Sequence, residues 1–279
     1  MPRVSIGDAE LHYDERRDGP PLLLVSGLSG LGSFWAPQVA DFARDFRVVT
    51  HDHRGTGQST HSRIEYSVEQ MAGDVLRLMD RLGIEATHYV GHSTGGAMGQ
   101  VLAQDHPDRI LSLVLSATWA GRDAFFRRSF EARKQVLLES GVESYLRASS
   151  LFTMPGWWIS ANDAQLAEQH RRLAAVQAPL DVMASRIDAI VRFDRRHRLG
   201  EISAPTLVIV AADDMLTPRF FSDELAGRIP GARLLVLGTG GHMAPSVVPD
   251  EYNALVGAFL REHRTPQRVS TGNGPLRVG

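Results

Sequence analysis

Gly91-His92-Ser93-Thr94-Gly95 sets a hydroxyl between two glycines, each two positions away. A serine in that setting can act as a nucleophile if the chain turns sharply enough to expose it. Ala86 to Val90 before it alternates like a strand, and Gly96 to Ala103 after it reads as a helix. The pentapeptide is therefore read as a strand-turn-helix elbow with Ser93 as nucleophile. Only residues without a Cβ let neighbouring backbone approach closely enough for such a turn. The following helix would aim free N–H groups and its positive end at the site, favouring negative charge on a substrate oxygen. A lone serine in a turn is usually just a hydrogen-bonding group, so the reading needs partners further along.

Those partners should follow in the order serine, acid, histidine. Ala204 to Ala212 reads as a buried strand that delivers Asp213 and Asp214 into a loop closed by Thr217-Pro218. Ala232 to Leu237 leads into Gly238-Thr239-Gly240-Gly241-His242, and this order selects His242 as general base. Either aspartate can orient the imidazole on this reading. Singly, an aspartate before a helix caps it and a histidine in a glycine loop is solvated. Three features in the required order, each at the carboxyl end of a strand, point to one site.

The positioning elements can be read from the same sequence. Val4 to Ile6 and Glu10 to Tyr13 form a hairpin around Gly7-Asp8-Ala9, and Pro21 to Val25 suits a strand buried on both faces. Trp35 to Phe46 is helical in period, Arg47 to Thr50 is a strand, and Val68 to Leu82 is a helix closed by Gly83. With Ile110 to Leu115 this alternation predicts an α/β fold with a mostly parallel, doubly wound sheet. Between Trp119 and Gly200 only helices are expected: Ala124 to Ser140, Val142 to Ser149, Asn162 to Ala175 and Leu180 to Val191, broken at Pro155-Gly156 and Pro179. The expected organisation is a core of residues 1–118 and 201–262, a helical cap of 119–200 over the elbow, and a weakly ordered tail of 263–279.

Composition sets limits on function. The 279 residues, 43% hydrophobic and 22% charged, suffice for a full core. A net charge of -2 gives no argument for nucleic acid or an anionic membrane. Without cysteine there is no disulfide, thiolate ligand or thiol nucleophile. No signal peptide and no apolar run of ~20 residues is found, so a cytoplasmic protein is expected.

With elbow, acid loop, histidine loop and helical insertion in order, the chain resembles the α/β-hydrolase superfamily. His51-Asp52-His53-Arg54-Gly55-Thr56-Gly57-Gln58-Ser59 is similar to that superfamily's D-x-R-G-x-G-x-S turn. His51 and His53 lack a further ligand at useful spacing, so no metal is expected. Gly27, Gly30 and Gly32 have the wrong order for a dinucleotide fingerprint and resemble the loop that supplies half of an oxyanion hole. From about Pro21 to Leu260 the chain is similar to aminoacrylate hydrolases of pyrimidine-ring breakdown, in Ser26 to Trp35, Arg127 to Phe130, Leu151 to Trp158 and Asp213 to Pro218. Tyr66 to Met71 and the core are similar to 3-oxoadipate enol-lactonases. Members of the first group can carry alanine where Ser93 stands, so a serine here turns the expectation toward an ester, lactone or amide hydrolase.

The resemblance implies an acyl-enzyme mechanism without a cofactor. The spacing to Pro218 then selects Asp214 over Asp213, and motif position selects the backbone N–H groups of Leu28 and Thr94 as oxyanion donors. The substrate is expected to be a small, acidic catabolic metabolite. Trp119, Phe125, Trp157 and Trp158 would line its site, and Arg127, Arg128 and Arg133 would hold its carboxylate. Each also has an ordinary reading, as core packing or a solvated helix face. Two other classes share these residues: a cofactor-free carbon-carbon hydrolase, lyase or perhydrolase, and a non-enzymatic ligand-binding member. A dehalogenase would need aspartate at Ser93. No nucleic-acid or membrane partner is expected, and the oligomeric state is open, a homodimer being compatible.

Overall fold

The computed structural model describes residues 2–264. Among them one sheet carries β1 (Arg3–Ser5), β2 (Glu10–Arg16), β3 (Pro21–Val25), β4 (Arg47–His51), β5 (Thr87–His92), β6 (Ile110–Ser116), β7 (Thr206–Ala211) and β8 (Arg233–Leu237). Their spatial order is β1-β2-β4-β3-β5-β6-β7-β8. β2 pairs antiparallel with β1 and β4, and every later pairing is parallel. This is the mostly parallel α/β sheet that the alternation predicts.

The helices are α1 (Ala36–Phe42), α2 (Val68–Arg81), α3 (Thr94–Asp105), α4 (Ala124–Thr153), α5 (Gly156–Ala174), α6 (Leu180–Arg192), α7 (Arg219–Arg228), α8 (Ala244–Val247) and α9 (Pro249–Glu262). Side chains that alternate along each central strand feed two cores. Leu23, Val25, Tyr89, Leu113 and Leu115 pack toward α2 and α3, while Leu22, Leu24, Val90, Val114 and Ile209 pack on the face with Phe42, Tyr252 and Val256. Covering both faces is why these strands read as continuous apolar runs. α2 begins where the Ser67 side chain accepts from Gln70 N at 3.0 Å and is followed by Gly83 at φ +64°.

α4, α5 and α6 fall between β6 and β7 in the chain. Gly141, between the two helices expected there, bends α4 with φ +80°. α5 begins at Gly156, earlier than expected, and Asn162 kinks it. Trp157, Trp158 and Ile159 break the amphipathic period, which hides that first turn from sequence reading. Trp35 closes a 3-10 turn, Gly32–Trp35, so the helix expected from that residue starts at Ala36. The expected weakly ordered tail lies, from residue 265 onward, outside the described residues. No described helix is long and apolar enough to cross a membrane.

Candidate active site

β5 ends at His92, and the chain turns at Ser93 into α3. Ser93 has φ +53° and ψ −116°, a conformation costing a non-glycine residue about 1–3 kcal/mol. Its surroundings hold it there: Ser93 N donates to Ser116 O (2.8 Å), and its carbonyl accepts from Gly96 N (2.9 Å) and Thr118 Oγ1 (2.8 Å). Both flanking glycines are required by space. A Cβ on Gly91 would stand 2.4 Å from Gly95 O, and one on Gly95 would stand 2.1 Å from Val25 O. Gly27 approaches from the loop after β3, where a Cβ would lie 3.2 Å from Ser93 Cβ and 3.6 Å from its Oγ. Leu28 follows in that loop, and Thr94 is the first residue of α3.

The loops after β7 and β8 bring up the other two groups. His242 Nδ1 lies 3.0 Å from Asp214 Oδ2. The same oxygen accepts from Thr217 Oγ1 at 2.8 Å, and Oδ1 accepts from Leu216 N and Thr217 N at 2.8 and 2.9 Å. Asp213 points elsewhere. Its Oδ1 accepts from Gly241 N (2.8 Å) and its Oδ2 from Thr239 Oγ1 (2.6 Å), so it ties down the loop that carries His242. Thr239 Oγ1 in turn accepts from Trp157 Nε1 at 3.2 Å.

Ser93 and His242 border one cavity of about 430 Å³. His92 lines it too, with its ring 4.8 Å from the His242 ring and stacked on Phe34 at 4.9 Å. Burial pushes the His92 imidazole well below its ordinary range, which keeps it neutral. Among the residues lining the cavity there is no aspartate or glutamate.

Of the seven residues expected to contact substrate, Arg133 alone reaches this lining. It is 6% exposed, donates from Nε to Ser149 Oγ (3.0 Å) and from Nη2 to Tyr145 Oη (3.2 Å), and its Nη1 has no partner. The other six require correction. Trp119 is buried core, packed on Phe126 with centroids 4.3 Å apart. Phe125 faces solvent while its neighbour Phe126 turns inward. Arg127 pairs with Glu131 on the exposed face of α4, and Arg128 is exposed beside it. Trp157, in the first turn of α5, is exposed and donates to Thr239 of the histidine loop, and Trp158 is half-buried outside the lining.

Arg186, which sequence reasoning does not single out, is 2% exposed and lines the cavity. Its signal was a charge inside the apolar stripe of α6, among Val182, Met183, Ile187 and Ile190. His51 and His53 stack at 5.1 Å inside the turn after β4. There Asp52 accepts from Gly32 N and Gln58 N, both at 2.9 Å, and Arg54 is held by Asp8 and Asp74. This turn braces the loop that carries Leu28.

Residues 20–247 match a family model described as the alpha/beta hydrolase fold. A protein of Azorhizobium caulinodans that carries the provisional name carbamate hydrolase RutD is 40% identical over 262 residues, 94% of this chain and 99% of that protein. Its namesake in Caulobacter vibrioides is 40% identical over 267 residues, 93% of this chain and 99% of its own. Among solved structures, the enol-lactonase of Burkholderia xenovorans superposes with a TM-score of 0.86 at 30% identity, covering 93% of this chain and 100% of its own.

Proposed function

Because the chain belongs to the alpha/beta hydrolase family and is a hydrolase, we propose that it cleaves an ester, lactone or amide-type carbonyl bond of a small anionic metabolite through an acyl-enzyme on Ser93. The observation that carries this reading is the 3.0 Å contact of His242 Nδ1 with a fully hydrogen-bonded Asp214, on the cavity that Ser93 borders. Asp214 holds the proton on Nδ1, leaving Nε2 free to accept one. Ser93 Oγ attacks the carbonyl carbon as His242 takes its proton. The tetrahedral oxyanion is held by the N–H groups of Leu28 and Thr94, and removing one such donor typically costs ~3 kcal/mol. His242 then protonates the leaving group. In the second half it deprotonates water, which releases the acid and restores Ser93.

The charge of the cavity supports an anionic substrate. Arg133 and Arg186 reach its wall and no carboxylate does, so a substrate carboxylate would complete the pairing of Arg133 through its free Nη1. The two relatives are named for carbamates, whose carbonyl carries nitrogen as an amide's does, and this favours including a C–N bond among those cleaved. The lactone reading draws on the enol-lactonase likeness. The helices α4 to α6 act as the cap that selects among such substrates.

The test is turnover of a panel of carbamates, acidic lactones and short esters, together with fluorophosphonate labelling. Labelling should fall on Ser93, and Ser93→Ala should abolish it and lower turnover by roughly 10⁴ to 10⁶. A folded Ser93→Ala protein with near wild-type rates would refute the mechanism.

A further inference from the structure

α6 sends one guanidinium through the interior to the backbone beside Ser93. Arg186 Nη1 donates to Arg54 O at 2.6 Å, Nη2 donates to Leu28 O at 3.0 Å, and Nη2 also lies 3.3 Å from His53 Nδ1. The guanidinium carbon is 5.6 Å from the Tyr66 ring centroid. Among the described residues no carboxylate is paired with it. Burial draws its pKa down to about 10, which leaves it cationic at neutral pH. Asp74 acts on it only through space, and a buried charge with no carboxylate bonded to it is a poor way to seat a helix, because a well-packed apolar residue does so at least as well. Its contacts therefore point to a use.

The carbonyl that Arg186 holds is in a sensitive place. Gly30 N donates to Gly27 O at 2.9 Å, closing a turn with Leu28 and Ser29 at its centre. The Leu28 carbonyl belongs to the central peptide, whose flip interconverts the two common turn types. The Leu28 N–H lies between two held carbonyls, Gly27 O bonded to Gly30 N and Leu28 O bonded to Arg186, so the guanidinium restrains the Leu28 Cα from which that N–H is placed. Gly30 sits against the same guanidinium: its φ is +69°, and a Cβ on it would stand 3.0 Å from Arg186 Nη2.

We infer that Arg186 is a positioning residue that locks the Gly27–Gly30 turn and so aims the Leu28 N–H at the oxyanion, joining the seating of α6 to assembly of the oxyanion hole. The inference rests on the serine-hydrolase reading of Ser93 and Leu28. It separates Arg186 from Arg133, whose free nitrogen suits a substrate anion. Donors aimed at a developing charge must be placed closely, and a displacement of about 1 Å can cost on the order of 100-fold in rate.

Arg186→Lys and Arg186→Met are compared with wild type in three measurements: the rate of Ser93 labelling by a fluorophosphonate, whose P=O takes the place of the oxyanion; kcat and KM on a neutral ester; and hydrogen exchange of residues 26–32. The neutral ester removes any attraction between the arginine and a substrate charge. Arg186→Met should label and turn over ~10- to 100-fold more slowly with KM within about twofold, and its turn should exchange faster. Lysine restores part of the donation and should recover part of the rate; it also serves if the methionine variant fails to fold. Unchanged labelling with unchanged exchange would overturn the inference, and a change in KM alone would make Arg186 a substrate contact instead. Wild-type protein that takes no label refutes the serine reading, and the exchange of the turn still judges the lock.

Discussion

Asp214→Asn and Asp213→Asn alter adjacent residues by one atom each, yet they should differ by about three orders of magnitude in turnover. Asp214 Oδ1 is fixed by the two backbone N–H groups of Leu216 and Thr217, so an asparagine keeps its oxygen there and turns its amide nitrogen toward His242. That nitrogen is a donor, so it favours the imidazole with the proton on Nε2, the atom that accepts the Ser93 proton in the proposed mechanism. The expected loss is ~10⁴ in kcat, which at 1.36 kcal/mol per decade is ~5.4 kcal/mol of barrier. Stability should change by only ~1 kcal/mol, because both backbone bonds survive. Asp213 touches Thr239 and Gly241 and not the ring, and asparagine keeps one acceptor for them, so a loss of about tenfold or less is expected. Initial rates on p-nitrophenyl acetate, with fluorophosphonate labelling as a substrate-independent check, measure both. Asp214→Asn retaining more than about a tenth of the rate while Asp213→Asn falls further would refute the assignment.

Arg133→Ala should raise KM for an acidic lactone by roughly one to two orders of magnitude and leave a neutral ester nearly unaffected; equal effects on both would remove Arg133 from anion recognition. Gly95→Ala drives a Cβ to 2.1 Å from Val25 O and should destabilise the fold by more than about 3 kcal/mol in urea unfolding, whereas Gly73→Ala in α2 meets nothing within 4 Å and should be neutral or stabilising. His51 is pushed down to about 4 by burial from an ordinary 6.5, so the folded state resists its protonation. His53, His88 and His92 are shifted down by burial as well, so stability should be full above about pH 6.5 and decline steadily as the pH falls toward 4; thermal unfolding against pH checks this, and a flat profile would contradict it.

The elements and the order of serine, aspartates and histidine along the chain were legible because their signals are local. Glycines flanking Ser93, apolar alternation in β3, β5 and β7, and the glycine loop before His242 each reflect backbone and solvent within a few residues. The acid was narrower in principle than the sequence allows. Asp213 and Asp214 share a loop, and the direction each carboxylate takes is set by which N–H groups fold back on it, those of Leu216 and Thr217 in one case and that of Gly241 in the other.

In the helical insertion, composition said little about which side chains face the cavity. Phe125 and Phe126 are neighbours in sequence, but a helix turns about 100° per residue, so one is 42% exposed and the other buried. Arg127 and Arg128 fall on the outer face of α4 and Arg133 on the inner one. Arg186 meets Leu28, 158 positions away, and Arg54, 132 away. Such contacts depend on helix phase and on how two layers dock, and these are decided by packing summed over the whole core. The sequence alone thus determined the strands, the elbow and the order of serine, aspartates and histidine, since each is written in short-range pattern. Tertiary structure decided which carboxylate faces the imidazole and which guanidiniums enter the cavity, since those choices are made only when distant segments are brought together.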